Sequence, residues 1–294
     1  MHKLLLLAGT GWSATTPLWM TLRDQGIINT GITKEPQTLQ YISNRDINYW
    51  KYKRSVKYER LKHKPYSDLI LSKDTTIDDY IEYYKTVDGY AADFSNDNAF
   101  LPAEFISEIA PKLKNHFDVK VIMIVRDPVR RSYSYCSAAY GSKSQKISKI
   151  DKRWNNENPK SRFEWRMIKK RFPDSISYWK NEISAPVCNM AKFSYVDIYK
   201  KFNCHFPTLP IVMEDLWSGK TDKLETFLEC KLSGLHRNCY YPEMGTKAPR
   251  YEELSDQWMS DLQDLSEDDY NFGRDKLKWI YDEWYQQFKT TPWQ

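Results

Sequence analysis

The chain opens with an apolar run, Leu4-Leu5-Leu6-Leu7-Ala8, which breaks at Gly9-Thr10-Gly11. After Pro17, apolar residues recur at helical spacing through Leu18, Trp19 and Leu22 to Gly26. This predicts a strand from Lys3, a glycine turn and then a helix, since a short apolar run bounded by Gly suits a buried strand and Pro suits a first helical turn. The same succession returns later. Phe105, Ile109, Leu113 and Phe117 share one helical face, and Val119 to Val125 is a nearly continuous, mostly β-branched run of the kind a strand buried on both faces requires. Asp127 is placed to cap a further helix, with Pro128 in its first turn, running to about Tyr140. Residues 41–88 are Tyr- and Lys-rich with mixed periodicity and are predicted as helices and loops over the first unit. Beyond a Ser-, Lys- and Asn-rich loop at 141–160, the pattern predicts two or three helices between Arg162 and Phe202 and a strand at Leu209 to Met213. A helix from about Thr221 to Glu229 and two acidic helices after Glu252 follow. Strand, loop and helix thus occur twice, without repeats or a linker. The expectation is one α/β domain over 1–294 with a mostly parallel central sheet flanked by helices.

The 294 residues are ample for a buried core, and although only 41% are apolar, 12 Phe, 11 Trp and 21 Tyr argue against disorder. No run approaches the roughly 18 apolar residues of a membrane helix, so no membrane partner is expected. The five cysteines, at 136, 188, 204, 230 and 239, form no CxxC pair. They read as buried thiols in a reducing, cytoplasmic protein. His236-x-x-Cys239 with Cys204-His205 offers no paired ligand knuckle, and no metal is predicted.

Net charge is +5, but its distribution says more. Residues 143–172 carry eleven Lys/Arg against three acids, residues 45–64 eight against two, and residues 251–287 eleven acids against three bases. The basic runs, interleaved with Tyr and Trp, suit anions such as nucleotide phosphates or acidic sugars and predict lid segments near 45–64 and 141–172. Nucleic acid is not expected as a partner, because no RNA- or DNA-binding motif accompanies them.

Chemistry concentrates in two turns. Gly9-Thr10-Gly11-Trp12-Ser13-Ala14-Thr15-Thr16-Pro17 lies between the first strand and helix, where outward amides and a helix N-terminus make an anion cradle to which Thr15 and Thr16 add hydroxyls. It lacks the lysine of a Walker A loop. It also fits a dinucleotide fingerprint, Gly9-x-Gly11-x-x-Ala14, for which Glu35 is the candidate ribose ligand. The second turn follows the strand Lys120 to Val125 and reads Arg126-Asp127-Pro128. Arg126 would stand at the sheet's carboxyl edge, and Ser134, eight residues later, lies about two helical turns on. Guanidinium and hydroxyl together suit a phosphate.

These segments resemble the sulfotransferase family, which uses 3′-phosphoadenosine 5′-phosphosulfate as sulfuryl donor. Gly9 to Thr16 is similar to its 5′-phosphosulfate loop. Arg126 and Ser134 match its 3′-phosphate motif, and Glu214-Asp215-Leu216 resembles its later Glu-Asp-Leu element, so the likeness spans about 3–230. The resemblance implies a nucleotide-binding core of P-loop-like type, with Gly11, Trp12, Ser13, Ala14, Thr15 and Thr16 on the 5′-phosphosulfate and Arg126 and Ser134 on the 3′-phosphate. Lys247 and Arg250, in Gly245 to Arg250, would lie near the donor's 3′ end. Asp93, where carbohydrate-type members have a glutamate, is the candidate base, with His63 and His116 as backups. The product would be 3′,5′-adenosine bisphosphate.

Two positions depart from the family. Trp12 replaces the basic loop residue that supplies much of the charge on the transferring group, and Phe94 stands where a lysine is expected. A cation from elsewhere must compensate, the two basic runs being the obvious sources, or the chain binds donor with weak or no catalysis. The acceptor expected is a small molecule or glycan, acidic on the evidence of the basic runs. An NAD(P)-dependent oxidoreductase is the competing enzyme class.

Overall fold

The computed structural model describes residues 1–9, 15–44, 48–134, 136, 171–172, 174–184, 194–235 and 265–289. By contact the chain divides into two compact units, one formed by Met1–Arg126 with Tyr195–Ser255 and the other by Asp127–Ser194 with Asp256–Pro292.

The first unit is built on four strands: β1 (His2–Leu7), β2 (Tyr90–Asp93), β3 (Phe117–Val125) and β4 (Thr208–Val212). All pair in parallel in the order β2-β1-β3-β4, with Leu6 opposite Asp93, Leu7 opposite Ile122 and Val125 opposite Val212. A bridge from Asn29 to Ala91 extends the pairing beyond β2. Alternate residues of β1 and β3 face opposite layers. Leu5, Leu7, Ile122 and Ile124 meet Leu18, Trp19 and Leu22 of α1 (Thr15–Asp24), together with Met213, Leu216 and Leu224. On β3, Val121 and Met123 are equally buried, and helix α6 (Ala103–His116) and the helix Tyr195–Asn203 run against that strand. Because both faces are covered, the strands read as unbroken apolar runs.

Helices α2 (Thr38–Ser43), α3 (Asn48–Leu61), α4 (Ser67–Leu71) and α5 (Ile77–Lys85) fill the connection from α1 to β2. α5 starts with a capping box between Thr76 and Asp79. Residues 45–64, expected as a basic lid, are mostly α3. Its Arg54 turns inward at 6% exposure and holds the carbonyls of Ser72 and Ile70 at 2.9 and 2.7 Å.

In the second unit the chain is helical from 128 to 134, and Asp127 caps that turn by accepting from the Val129 and Arg130 amides at 2.8 and 3.2 Å. Trp179, in the helix Ser175–Ser184, is fully buried against Tyr133 and donates to Ser132 Oγ at 2.9 Å. Gly273, in the helix Glu267–Lys276, passes so close that a Cβ there would come within 2.7 Å of Trp179 and Val129.

The α/β class and the parallel sheet are as the sequence predicts, with boundaries shifted slightly: β1 starts at His2, α1 at Thr15 and β4 at Thr208. β2 has no counterpart in the sequence reading. Its four residues include two alanines and offer neither length nor β-branched character. The last helix, Lys278–Trp284, is aromatic and apolar rather than acidic. Buried thiols describe Cys136 but not Cys204, which is exposed just past the end of the helix Tyr195–Asn203; Cys188 and Cys239 lie outside the described residues. Among the described residues no helix is long and apolar enough to cross a membrane.

Gly31, with φ of +61°, forms the turn that leads into the segment bordering the carboxyl rim of the sheet, and a Cβ there would strike the Tyr83 hydroxyl, which accepts the Ile32 N–H at 2.8 Å. Gly31→Ala is expected to destabilise the fold by roughly 2–4 kcal/mol, through both the left-handed backbone and the collision. Gly89→Ala, with φ of +79° and open space around it, is expected to lose only about 1–2 kcal/mol. Urea unfolding of the two variants, compared with the native chain, checks the difference.

Candidate functional site

In a parallel sheet every strand leaves at the same edge, so Gly9 after β1, Phe94 after β2, Arg126 after β3 and Met213 after β4 stand along one rim. From β1 the chain crosses to β2 on one side, and from β3 to β4 on the other. The connections therefore diverge between β1 and β3, and such a switch point opens a crevice at the strands' carboxyl ends. Gly9 and Arg126, at which the two sequence turns begin, flank this crevice.

At β1, the Ala8 N–H still donates to the Ile122 carbonyl at 2.8 Å before the chain departs at Gly9. A Cβ on Gly9 would come 3.0 Å from the Thr15 methyl, so glycine lets the first turn of α1 close onto the strand end. Thr15 is buried, and the Thr16 hydroxyl accepts a hydrogen bond from Lys34 Nζ at 2.9 Å. Gly11, Trp12, Ser13 and Ala14 lie outside the described residues, as do Lys247, Arg250 and nearly all of the basic stretch 141–172.

At β3, Arg126 is 1% exposed, and its carbonyl accepts from the Tyr195 hydroxyl at 3.0 Å. A guanidinium at the end of a strand with five fully buried apolar residues before it is held in place by its surroundings. Ser134 belongs to the second unit, is half-buried and lies in the helical stretch that Asp127 caps.

At β2, Asp93 is fully buried. One carboxylate oxygen accepts from the Tyr80 hydroxyl at 3.0 Å and the other from the Ser95 N–H at 2.9 Å. Burial raises the carboxyl's pKa, against the hydrogen bonds from Ser95 and Tyr80 and the charge of Lys57. The carboxylate thus stands at the end of β2 with both oxygens engaged and no exposed surface. His63 and His116 lie elsewhere, His63 in the turn after α3 and His116 at the end of α6.

A group absent from the sequence reading completes the rim. Lys34 is 1% exposed, and its ammonium contacts Thr16 Oγ1 and, at 2.8 Å, Glu35 Oε1. Asn96 Nδ2 donates to the same Glu35 oxygen at 3.3 Å, and the Lys34 carbonyl accepts from the Phe94 amide at 3.1 Å. Segment 33–37 is thus tied to the loop after β2, a link strengthened by the Gln37 amide donating to Ser95 Oγ at 3.0 Å. Lys57, from the basic run 45–64, reaches the same place and donates to the Glu35 carbonyl and to Gln37 Oε1. The signal for Lys34 was a lysine directly before Glu35-Pro36, a context that reads as a turn and conceals burial. Asp215 pairs with Lys220 at 3.0 Å, the bracing role that acids at a strand's end suggest. Among the described residues no group of three His, Cys, Asp or Glu side chains gathers as a metal site.

No family model matches the chain, and no curated protein is significantly similar to it. Among solved structures, a chain titled as the crystal structure of a sulfotransferase from Alicyclobacillus acidocaldarius aligns over 96% of both chains at 15% identity, with a TM-score of 0.46.

The buried Asp93 makes a prediction about pH. Because its carboxyl titrates higher folded than unfolded, the native state gains stability from that proton below the unfolded pKa and loses the gain as pH rises through the folded value. Asp93→Asn keeps the bond from the Ser95 N–H at its carbonyl oxygen, turns the other round so that its amide donates to the Tyr80 hydroxyl, and carries no charge, so the variant should gain stability relative to the native chain between about pH 4 and pH 8. Denaturant unfolding at the two pH values checks this. A stability difference that does not change with pH would contradict the raised pKa.

Proposed function

We propose that the chain is a sulfotransferase that moves a sulfuryl group from 3′-phosphoadenosine 5′-phosphosulfate to a hydroxyl or amine of a small-molecule or glycan acceptor. The observation that carries this reading is the placement of two anion-suited turns, one on each side of the switch point between β1 and β3. The first turn of α1 with Thr15 and Thr16, together with Gly11 to Ala14, is assigned the 5′-phosphosulfate. Arg126 is assigned the 3′-phosphate, with Ser134 joined to it on sequence spacing alone. Lys247 and Arg250 are assigned to the same end of the donor on resemblance alone.

The residues present fit such a donor. The nucleotide carries charge at both ends, and the rim offers a buried guanidinium after β3 and a buried ammonium beside the helix start after β1. In the reaction the bond from sulfur to the bridging phosphate oxygen breaks, a bond from sulfur to the acceptor oxygen or nitrogen forms, and the acceptor's proton leaves. What the protein must supply is orientation and positive charge on the transferring oxygens. The basic runs favour an acidic acceptor.

A dinucleotide-dependent oxidoreductase draws less support. That class uses an acidic side chain on the ribose diol, whereas Glu35 is engaged by Lys34 and Asn96, and Asp93 by Tyr80 and Ser95.

Calorimetric titration with 3′,5′-adenosine bisphosphate tests the assignment. Arg126→Ala is expected to weaken binding by roughly 1.5–3 kcal/mol, the usual loss for a hydrogen bond to a charged group. Since Arg126 is buried, Arg126→Lys and a thermal melt accompany it to separate binding from folding. Affinity unchanged in a folded variant, or protection by NAD(P) instead of the bisphosphate, overturns the proposal.

A further inference from the structure

We infer that Lys34 is the cation that stands in for the basic residue missing at Trp12, acting as a positioning residue through the hydroxyl of Thr16; the inference rests on the sulfotransferase reading above. An ammonium held at 1% exposure is costly unless its surroundings use it. Two of its three N–H groups go to Thr16 Oγ1 at 2.9 Å and to Glu35 Oε1 at 2.8 Å. No other partner for it occurs among the described residues.

The direction of the first bond matters. Lys34 donates to Thr16 Oγ1, so the hydroxyl's own proton is left to donate elsewhere, and the oxygen that carries it is polarised by a full positive charge. Thr16 lies in the first turn of α1, whose amides already favour an anion. The relay Lys34 to Thr16 to an oxygen of the sulfuryl group delivers at the helix start what a loop lysine would deliver directly. Glu35 pairs with the ammonium and offsets part of its charge, but the carboxylate is 27% exposed and shares the same oxygen with Asn96, while the ammonium is buried against the helix start. Lys57 reaches the Glu35 carbonyl and Gln37 Oε1, and Arg54 the carbonyls of Ser72 and Ile70 and the Thr38 hydroxyl.

The test compares two nucleotides that differ by the sulfuryl group. Native chain, Lys34→Met, Lys34→Arg and Thr16→Val are titrated with 3′-phosphoadenosine 5′-phosphosulfate and with 3′,5′-adenosine bisphosphate, and donor cleavage to water is followed as sulfate release. In that cleavage water's oxygen bonds to sulfur, the bridging S–O bond breaks and the proton passes to solvent. Lys34→Met is expected to slow cleavage by roughly 10- to 100-fold and to weaken the phosphosulfate, while bisphosphate affinity stays within about threefold. Lys34→Arg should recover part of the loss. Thr16→Val should reproduce it, and the double variant should add little, because the two residues act as one relay. Should Lys34→Met fail to fold, the Thr16→Val split between the two nucleotides carries the same test. Loss of bisphosphate affinity in parallel with the phosphosulfate, or unchanged cleavage, overturns the role of Lys34 while leaving the sulfotransferase reading standing. A native chain that binds neither nucleotide removes that reading and this inference together.

Discussion

The organising constraint is a parallel sheet covered on both faces. Leu4 to Leu7 of β1 and Val121 to Val125 of β3 are at most 1% exposed, so the carboxyl halves of these strands have no room for polar side chains. The polar groups that those halves position must sit where the strands end, and in a parallel sheet all strands end on one side. Arg126, Asp93, Ser95, Asn98 and Lys34 are all at most 1% exposed and gather there or in the loops tied to that edge. Site chemistry and sheet topology are thus one fact: the sequence cannot bury β1 and β3 without concentrating charge at their carboxyl ends.

Concentrated buried charge must be balanced, and the balance on the β1–β2 side is local. Asp93 relies on Tyr80 and Ser95, and its raised pKa shows that these donors do not fully replace water. Lys34 is balanced by Glu35, which Asn96 steadies. These links tie segment 33–37 to the loop after β2, so the two connections around β1 behave as a single wall beside the helix start. The wall is rigid because its members satisfy one another, and a rigid wall is what preorganised charge requires.

Legibility from sequence followed burial on two faces. β1, β3 and β4 are read correctly because apolar runs bounded by Gly, Asp-Pro or polar residues have few alternatives, and α1 and α6 because their apolar spacing is helical. β2 was invisible: Tyr90-Ala91-Ala92-Asp93 owes its strand geometry to pairing with β1, a tertiary effect that four residues do not announce. At the site, the residues that end long strands were legible, as Arg126 shows. Lys34 was not, since its burial depends on the loop after β2 folding over it. For Asp93 the sequence places a carboxylate at the rim without saying that its oxygens are engaged by Tyr80 and Ser95.

The order β2-β1-β3-β4 also gives a buried cation its route to the first turn of α1. With β2 beside β1, the segment that follows α1 must pass along the outer side of β2, where Asn29 bridges to Ala91, before the chain enters the helices at 38–85. That path carries residues 30–37 past the helix start, within reach of Thr16. A charge at the first turn of α1 can therefore come from this returning segment, as the contact between Lys34 and Thr16 shows. The strand order, set by apolar burial, is what brings the two residues together.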